Sequence, residues 1–118
     1  MATVLVVDDD PELRDMLSFS LQLEGHTVAT AVDGRDALAQ LQRVRPTIIL
    51  LDLMMPVMDG AEFCRHLRQD PRFASTPIVC LSAKHSAATE ATMLGIPCIA
   101  KPFEIDEISR TVRQLAGE

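Results

Sequence analysis

Near its centre the chain reads Ile48-Ile49-Leu50-Leu51-Asp52, so four apolar side chains run directly into a carboxylate. A run this short and uniformly apolar is typical of a strand buried on both faces of a parallel sheet. Three similar runs also end on reactive side chains: residues 4–7 before Asp8 and Asp9, residues 78–81 before Ser82, and residues 98–100 before Lys101. Because parallel strands point the same way, these ends should meet at one edge of the sheet, where open α/β sheets keep their active sites.

Helical patterns separate the strands. Asp10 precedes Pro11 and is expected to cap the first helix, and the second helix is expected to open at Asp33 and stop before Pro46. Ser86 is the expected cap of a short fourth helix that ends at Gly95. The last helix should place four apolar residues on one face: Ile105, Ile108, Val112 and Leu115.

Alternating strands and helices predict parallel pairing, right-handed crossovers and helices on both faces of the sheet. The second strand, residues 26–31, alternates in polarity and the fifth is short, so both belong at the edges. These features predict an α/β, flavodoxin-like (βα)5 three-layer sandwich, with a parallel five-stranded sheet of order 2-1-3-4-5. Residues 1–118 are expected to form a single domain.

The composition of the chain argues against several classes of protein. A formal net charge of -6 and the absence of Trp and Tyr argue against direct nucleic-acid binding. The three cysteines show no CxxC spacing and fit reduced thiols in a core. No signal peptide or bilayer-length apolar stretch is evident, so we expect a cytoplasmic protein that does not insert into membranes.

The strand ends predict a metal site. Asp8, Asp9 and Asp52 repel one another at a shared sheet edge unless a cation neutralises them, and oxygen ligands favour Mg²⁺. Asp8 and Asp9 alone fit helix-capping or loop acids equally well. Asp52 and Lys101 at equivalent strand ends favour the metal site.

The same edge fits phosphoryl transfer. A carboxylate can attack phosphorus, and such reactions need mainly positioning and positive charge around the equatorial oxygens. Asp52, on the central strand, is the natural nucleophile. Lys101 can neutralise one phosphoryl oxygen, and the Ser82 hydroxyl can donate to another.

Four segments carry the most specific signal in the chain. They are 4–10 (VLVVDDD), 51–60 (LDLMMPVMDG), 81–84 (LSAK) and 101–103 (KPF). Each is weak alone, but all four in this order are highly specific. Along its whole length the chain resembles a response-regulator receiver domain of the CheY-like family.

The resemblance implies that Asp52 accepts a phosphoryl group from a phosphohistidine on a histidine kinase or phosphotransfer protein. Asp9, Asp52 and the backbone carbonyl of Met54 would bind Mg²⁺ directly, and Asp8 would act through water. Ser82 and Lys101 would contact the acyl phosphate, and the bond between Lys101 and Pro102 would be cis.

The resemblance also implies a signalling role without external turnover. Such a domain catalyses only its own phosphorylation and dephosphorylation, and the phosphorylated form switches the binding of a downstream protein. The expected oligomeric state is a monomer or a weak, phosphorylation-dependent dimer.

Two features depart from the family pattern. Receivers commonly carry an aromatic residue three positions before the strand-five lysine, where this chain has Cys98. The segment 82–101 is also about three residues shorter than usual, so the fourth helix should be trimmed or displaced. The switch is therefore expected to rely on Ser82 and its loop, with Cys98 in place of a swinging ring.

Other interpretations remain open from sequence. A haloacid-dehalogenase-like, Mg²⁺-dependent phosphatase also uses an Asp nucleophile, but it needs a second Asp two residues later, where Met54 stands here. A pseudo-receiver that only binds partners normally loses an acid or the lysine. His85 either touches the phosphoryl group or is solvated. The methionines at 54, 55 and 58 either pack the loop or form a partner-binding patch.

Overall fold

The five strands form one parallel sheet in the order β2-β1-β3-β4-β5. This computed structural model describes residues 2–53, 58, 60–82 and 85–117, with residues 85–88 described by their backbone alone. The elements in chain order are β1 (Thr3–Val7), α1 (Pro11–Leu23), β2 (Thr27–Ala31), α2 (Gly34–Gln40), β3 (Ile48–Asp52), α3 (Gly60–Gln69), β4 (Ile78–Ser82), α4 (His85–Leu94), β5 (Cys98–Ala100) and α5 (Ile105–Leu115). The predicted fold class and strand order are confirmed.

The sheet separates two apolar clusters, because successive side chains of a strand point to opposite faces. On one face, Leu5 and Val7 of β1 pack with apolar residues of α2, α3 and α4. On the other face, Val4 and Val6 pack with residues of α1 and α5. All five residues of β3 are buried, as expected for a central strand covered on both sides.

Capping carboxylates fix the helix starts next to the sheet edge. Asp10 Oδ1 accepts a hydrogen bond from the backbone N–H of Glu12 at 3.0 Å, which confirms the predicted cap of α1. Asp33 Oδ1 accepts from the N–H of Asp36 at 2.8 Å at the start of α2. Both helices therefore begin immediately after the carboxyl ends of their strands.

Some predicted helix details were wrong. The second helix ends at Gln40, because the chain beyond it tightens into turns in which Arg43 N–H donates to the Gln40 carbonyl at 3.0 Å. The fourth helix begins at His85, so Ser86 lies inside its first turn instead of capping it. The apolar residues predicted on one face of α5 differ in burial: Ile108 and Val112 are buried, whereas Leu115, in the last turn, is 39% exposed.

No helix among the described ranges has both the length and the apolar character needed to cross a bilayer.

Candidate functional site

Three carboxylates meet at the carboxyl edge of the sheet. Oxygen atoms of Asp8, Asp9 and Asp52 all lie within 4.8 Å of one another. Strands β1 and β3 are direct neighbours, with Val7 opposite Leu51, so the residues that follow them emerge side by side. Asp8 is fully buried and Asp52 is 7% exposed, whereas Asp9 is exposed, so the cluster opens to solvent on the Asp9 side. The structure thus brings together the three acids predicted from sequence.

Lys101 supplies positive charge to this cluster. Its Nζ atom lies 2.9 Å from Asp8 Oδ2 and 3.9 Å from Asp52 Oδ2. Among the described residues, the Lys101 ammonium pairs with two of these three carboxylates, and the remaining negative charge attracts a further cation. Sequence reasoning placed Lys101 near a phosphoryl group but missed its ion pair with Asp8, which joins residues 93 positions apart.

Asp8 is held by contacts from three directions. Its Oδ1 accepts from the backbone N–H of Asp10 at 2.9 Å, and its own N–H donates to the carbonyl of Ala31 on β2 at 3.2 Å. The Arg14 guanidinium of α1 donates to the Asp8 carbonyl at 2.6 Å. The role of Arg14 was missed from sequence, because nothing in local spacing indicates that a helical arginine turns back to the preceding strand end.

A glycine allows α3 to lie against the chain that carries Asp52. The N–H of Gly60 donates to the Leu53 carbonyl at 3.1 Å. A Cβ atom at Gly60 would lie 2.6 Å from Leu53 Cα and 3.1 Å from the Asp52 carbonyl oxygen. Real Cβ contacts essentially never fall below 3.0 Å, so only glycine fits without a shift of this backbone.

Ser82 and Lys101 are tied together through the backbone. Ser82 ends β4 and is 4% exposed, and its carbonyl accepts from the Lys101 N–H at 2.8 Å. The peptide bond between Lys101 and Pro102, for which the resemblance implied a cis isomer, is cis in the structure. The hydroxyl-bearing residue and the lysine are therefore carried by neighbouring strand ends.

Several candidates fall outside the part of the chain that the structure describes: Met54 with its predicted carbonyl ligand, Met55, and the side chain of His85. Met58 is described, and it packs against the apolar cluster that contains Leu5. Its Cγ atom would lie 2.9 Å from a Cβ atom at Gly34, so Met58 contributes to loop packing.

Cys98 lies on β5, partly buried and directly opposite Cys80 of β4. It packs against the same apolar cluster as Met58.

The comparisons with known proteins agree with this geometry. A family model described as the response regulator receiver domain matches residues 4–113. The chain belongs to this family and is a receiver domain of two-component response regulators, so the phosphatase and pseudo-receiver interpretations are not favoured.

One curated relative is the DNA-binding response regulator MtrA of Mycolicibacterium smegmatis, which is 42% identical over 115 residues covering 93% of this chain and 48% of MtrA. The chain thus spans about half the length of the curated relatives it matches.

Among solved structures, the chemotaxis protein CheY4 of Vibrio cholerae is 37% identical, with a TM-score of 0.88 and 98% of each chain covered. The receiver domain of the sensor histidine kinase PA1611 of Pseudomonas aeruginosa PAO1 is 28% identical, with a TM-score of 0.90, 99% of this chain and 98% of that chain covered. That structure holds a magnesium ion in its active site cleft. Magnesium is therefore bound by a receiver of the same fold, and this chain has an acidic cluster suited to it.

Proposed function

We propose that Asp52 accepts a phosphoryl group from the phosphohistidine of a sensor kinase or phosphotransfer protein, and that phosphorylation switches the binding of a downstream protein. The observation that carries this proposal is the placement of Asp52. Its carboxylate ends the central strand, lies 3.9 Å from the Lys101 ammonium and belongs to the three-acid cluster. A nucleophile, a cation and a metal-binding set thus meet where a donor can approach from the exposed Asp9 side.

In the proposed reaction an Asp52 carboxylate oxygen attacks phosphorus. A new O–P bond forms, the P–N bond to the donor imidazole breaks, and the imidazole leaves with the bonding electron pair and takes up a proton. Positioning and charge neutralisation are the main requirements of such a step. Lys101, already close to Asp52, neutralises one equatorial oxygen, and the Ser82 hydroxyl donates a hydrogen bond to another.

The acidic cluster fits Mg²⁺ by the nature and spacing of its donors. Mg²⁺ prefers oxygen ligands at about 2.0–2.1 Å, so two oxygens bound to one ion lie about 3–4 Å apart. Asp9 and Asp52, together with the Met54 carbonyl, are the proposed direct ligands. Both oxygens of Asp8 already accept hydrogen bonds, from Asp10 N–H and Lys101 Nζ, which favours a water-mediated role for Asp8. Bound Mg²⁺ would supply positive charge to the transferring phosphoryl group.

We propose that output begins at Ser82. In the phosphorylated state its hydroxyl is drawn toward the phosphoryl oxygen and carries the following loop and α4 with it. Cys98 is too small to sweep out the volume of an aromatic ring, so it follows this movement passively.

Residues 1–118 would act as one receiver unit that catalyses only its own phosphorylation and dephosphorylation. The net charge of -6 supports a domain that does not itself contact nucleic acid, although the longer relatives are named as DNA-binding regulators. A phosphohistidine donor and three free thiols fit a cytoplasmic setting.

Acetyl phosphate with Mg²⁺ tests this function. We expect one acid-stable, hydroxylamine-labile phosphoryl group per chain, its loss when EDTA replaces Mg²⁺, and no turnover of p-nitrophenyl phosphate beyond the buffer rate. Sustained ester hydrolysis would identify a phosphatase instead. A folded protein that takes up no label from acetyl phosphate or from a phosphorylated histidine phosphotransfer protein would identify a binding-only module.

A further inference from the structure

Two cysteines face each other across neighbouring strands. Cys80 of β4 is directly opposite Cys98 of β5 in the parallel register. Both side chains belong to the same apolar cluster, so they lie on the same face of the sheet. Both are free thiols. The pair is thus a vicinal dithiol formed by tertiary structure, since 18 positions separate the two residues in sequence.

The spacing of the strands suits a disulfide. Neighbouring strands lie about 4.7–4.9 Å apart, and disulfides join Cα atoms that are about 4.4–6.8 Å apart. Residues in direct register therefore lie within the range of Cα separations that a disulfide spans. Cys64 is not in register with either cysteine, because it lies on α3 and not on a neighbouring strand.

The two thiols differ in environment. Cys80 is completely buried, whereas Cys98 is partly exposed. Burial raises the pKa of the Cys80 thiol, and the interaction with the neighbouring Cys98 thiol raises it further. Cys80 is therefore hidden from solvent, and Cys98 is the thiol that a soluble oxidant can reach.

We propose that Cys80 and Cys98 form a reversible redox pair, in which Cys98 reacts with a hydroperoxide and Cys80 then closes a disulfide. The Cys98 sulfur attacks the peroxide, the O–O bond breaks, and Cys98 becomes a sulfenic acid while one water is released. The Cys80 sulfur then attacks the Cys98 sulfur, the S–O bond breaks, and a second water leaves with the Cys80 proton. In total the two thiols lose two electrons and two protons to one hydrogen peroxide molecule.

The bridge would join two strands of the candidate site. Cys80 lies two residues before Ser82, and Cys98 lies three residues before Lys101. A disulfide here would fix β5 against β4 at the position where most receivers carry their switch residue. The pair thus places an oxidisable group inside the output region of the domain.

The test treats the reduced protein with hydrogen peroxide, blocks remaining thiols with N-ethylmaleimide, and maps the peptides by mass spectrometry without reduction. We expect a cross-linked peptide pair containing Cys80 and Cys98, with Cys64 alkylated only after unfolding, and full return of thiols with dithiothreitol. Because Cys98 is the partly exposed thiol, Cys98→Ser is the test variant, and it should form no cross-link. The matched control is Cys64→Ser, which should form the cross-link at the wild-type rate.

Phenylarsine oxide provides a second measurement that needs no oxidant, because a trivalent arsenical is held by two thiols that lie within reach of one another. We expect one arsenical per folded chain in wild type and in Cys64→Ser, and a loss of at least tenfold in affinity in Cys98→Ser. The proposal is overturned if peroxide yields only Cys98 sulfinic acid, if the cross-link joins Cys64, or if Cys98→Ser keeps the wild-type arsenical affinity. None of these readouts depends on phosphorylation.

Discussion

Replacing Gly60 with alanine tests how the fold holds the proposed phosphorylation site. The added Cβ atom would lie 2.6 Å from Leu53 Cα, and ordinary contacts begin at 3.4 Å, so the backbone after Asp52 must move by about 0.8 Å. Overpacking of this kind costs about 1–3 kcal/mol, partly offset by the better helix propensity of alanine. A misplacement near 1 Å can also cost about 100-fold in rate. We expect Gly60→Ala to lose about 1–2 kcal/mol in stability and at least tenfold in the rate of phosphorylation.

The assay pairs urea unfolding with acetyl phosphate labelling followed by intact mass. With an m-value of about 2 kcal/mol/M, the unfolding midpoint should fall by about 0.5–1 M. The matched control is Gly95→Ala, where the added Cβ meets open space but φ is +74°. Left-handed backbone costs alanine about 1–2 kcal/mol, so this control should lose similar stability while keeping its labelling rate. If Gly60→Ala matches wild type in both measurements, or if both variants lose labelling equally, the close approach at Gly60 does not position Asp52.

Three further predictions address metal, switch and scaffold. Without Mg²⁺, Asp9→Ala should raise the free energy of unfolding by about 1 kcal/mol, because it removes repulsion from two neighbouring carboxylates. It should also abolish the rise in Tm that Mg²⁺ gives wild type. An unchanged Mg²⁺ response would exclude Asp9 as a ligand. Beryllofluoride mimics the phosphoryl group and should change the NMR chemical shifts of the backbone amides in the loop that follows β4. Ser82→Ala should lose most of these changes, whereas Cys98→Ala should keep them. The reverse pattern would make Cys98 the switch. Arg68→Ala should lower stability by about 1 kcal/mol and leave labelling unchanged. The Arg68 Nη1 atom donates to three carbonyls of the loop after α3, at 3.0–3.1 Å. A urea midpoint equal to that of wild type would contradict this role.

The site residues that stand directly after an apolar strand were predictable from the sequence. Apolar runs identified β1, β3 and β4, and the parallel arrangement then placed Asp8 and Asp52 at one edge without any knowledge of side-chain contacts. The cap of α1 was equally accessible, because Asp10 and Pro11 are a local signal. These features depend on the periodicity of apolar residues and on neighbours in sequence, and both can be read from a single sequence.

Contacts between distant residues were not predictable in the same way. The Lys101 ammonium lies 2.9 Å from Asp8 although β3 and β4 separate β5 from β1 in the sheet, and strand order alone does not give that distance. The opposition of Cys80 and Cys98 depends on a register in which a shift of one residue would turn one thiol to the other face. The close approach of α3 at Gly60 likewise depends on the packing of a whole helix.

The central claim is that Asp52 is the residue that carries the phosphoryl group. The most direct measurement labels the protein with acetyl phosphate and Mg²⁺, reduces the acyl phosphate with borohydride, and locates the resulting homoserine by peptide mass spectrometry. We expect homoserine at position 52 alone, with none in Asp52→Asn and none in unlabelled protein. Homoserine at position 8 or 9 in wild type, or full labelling of Asp52→Asn, would show that another residue accepts the phosphoryl group.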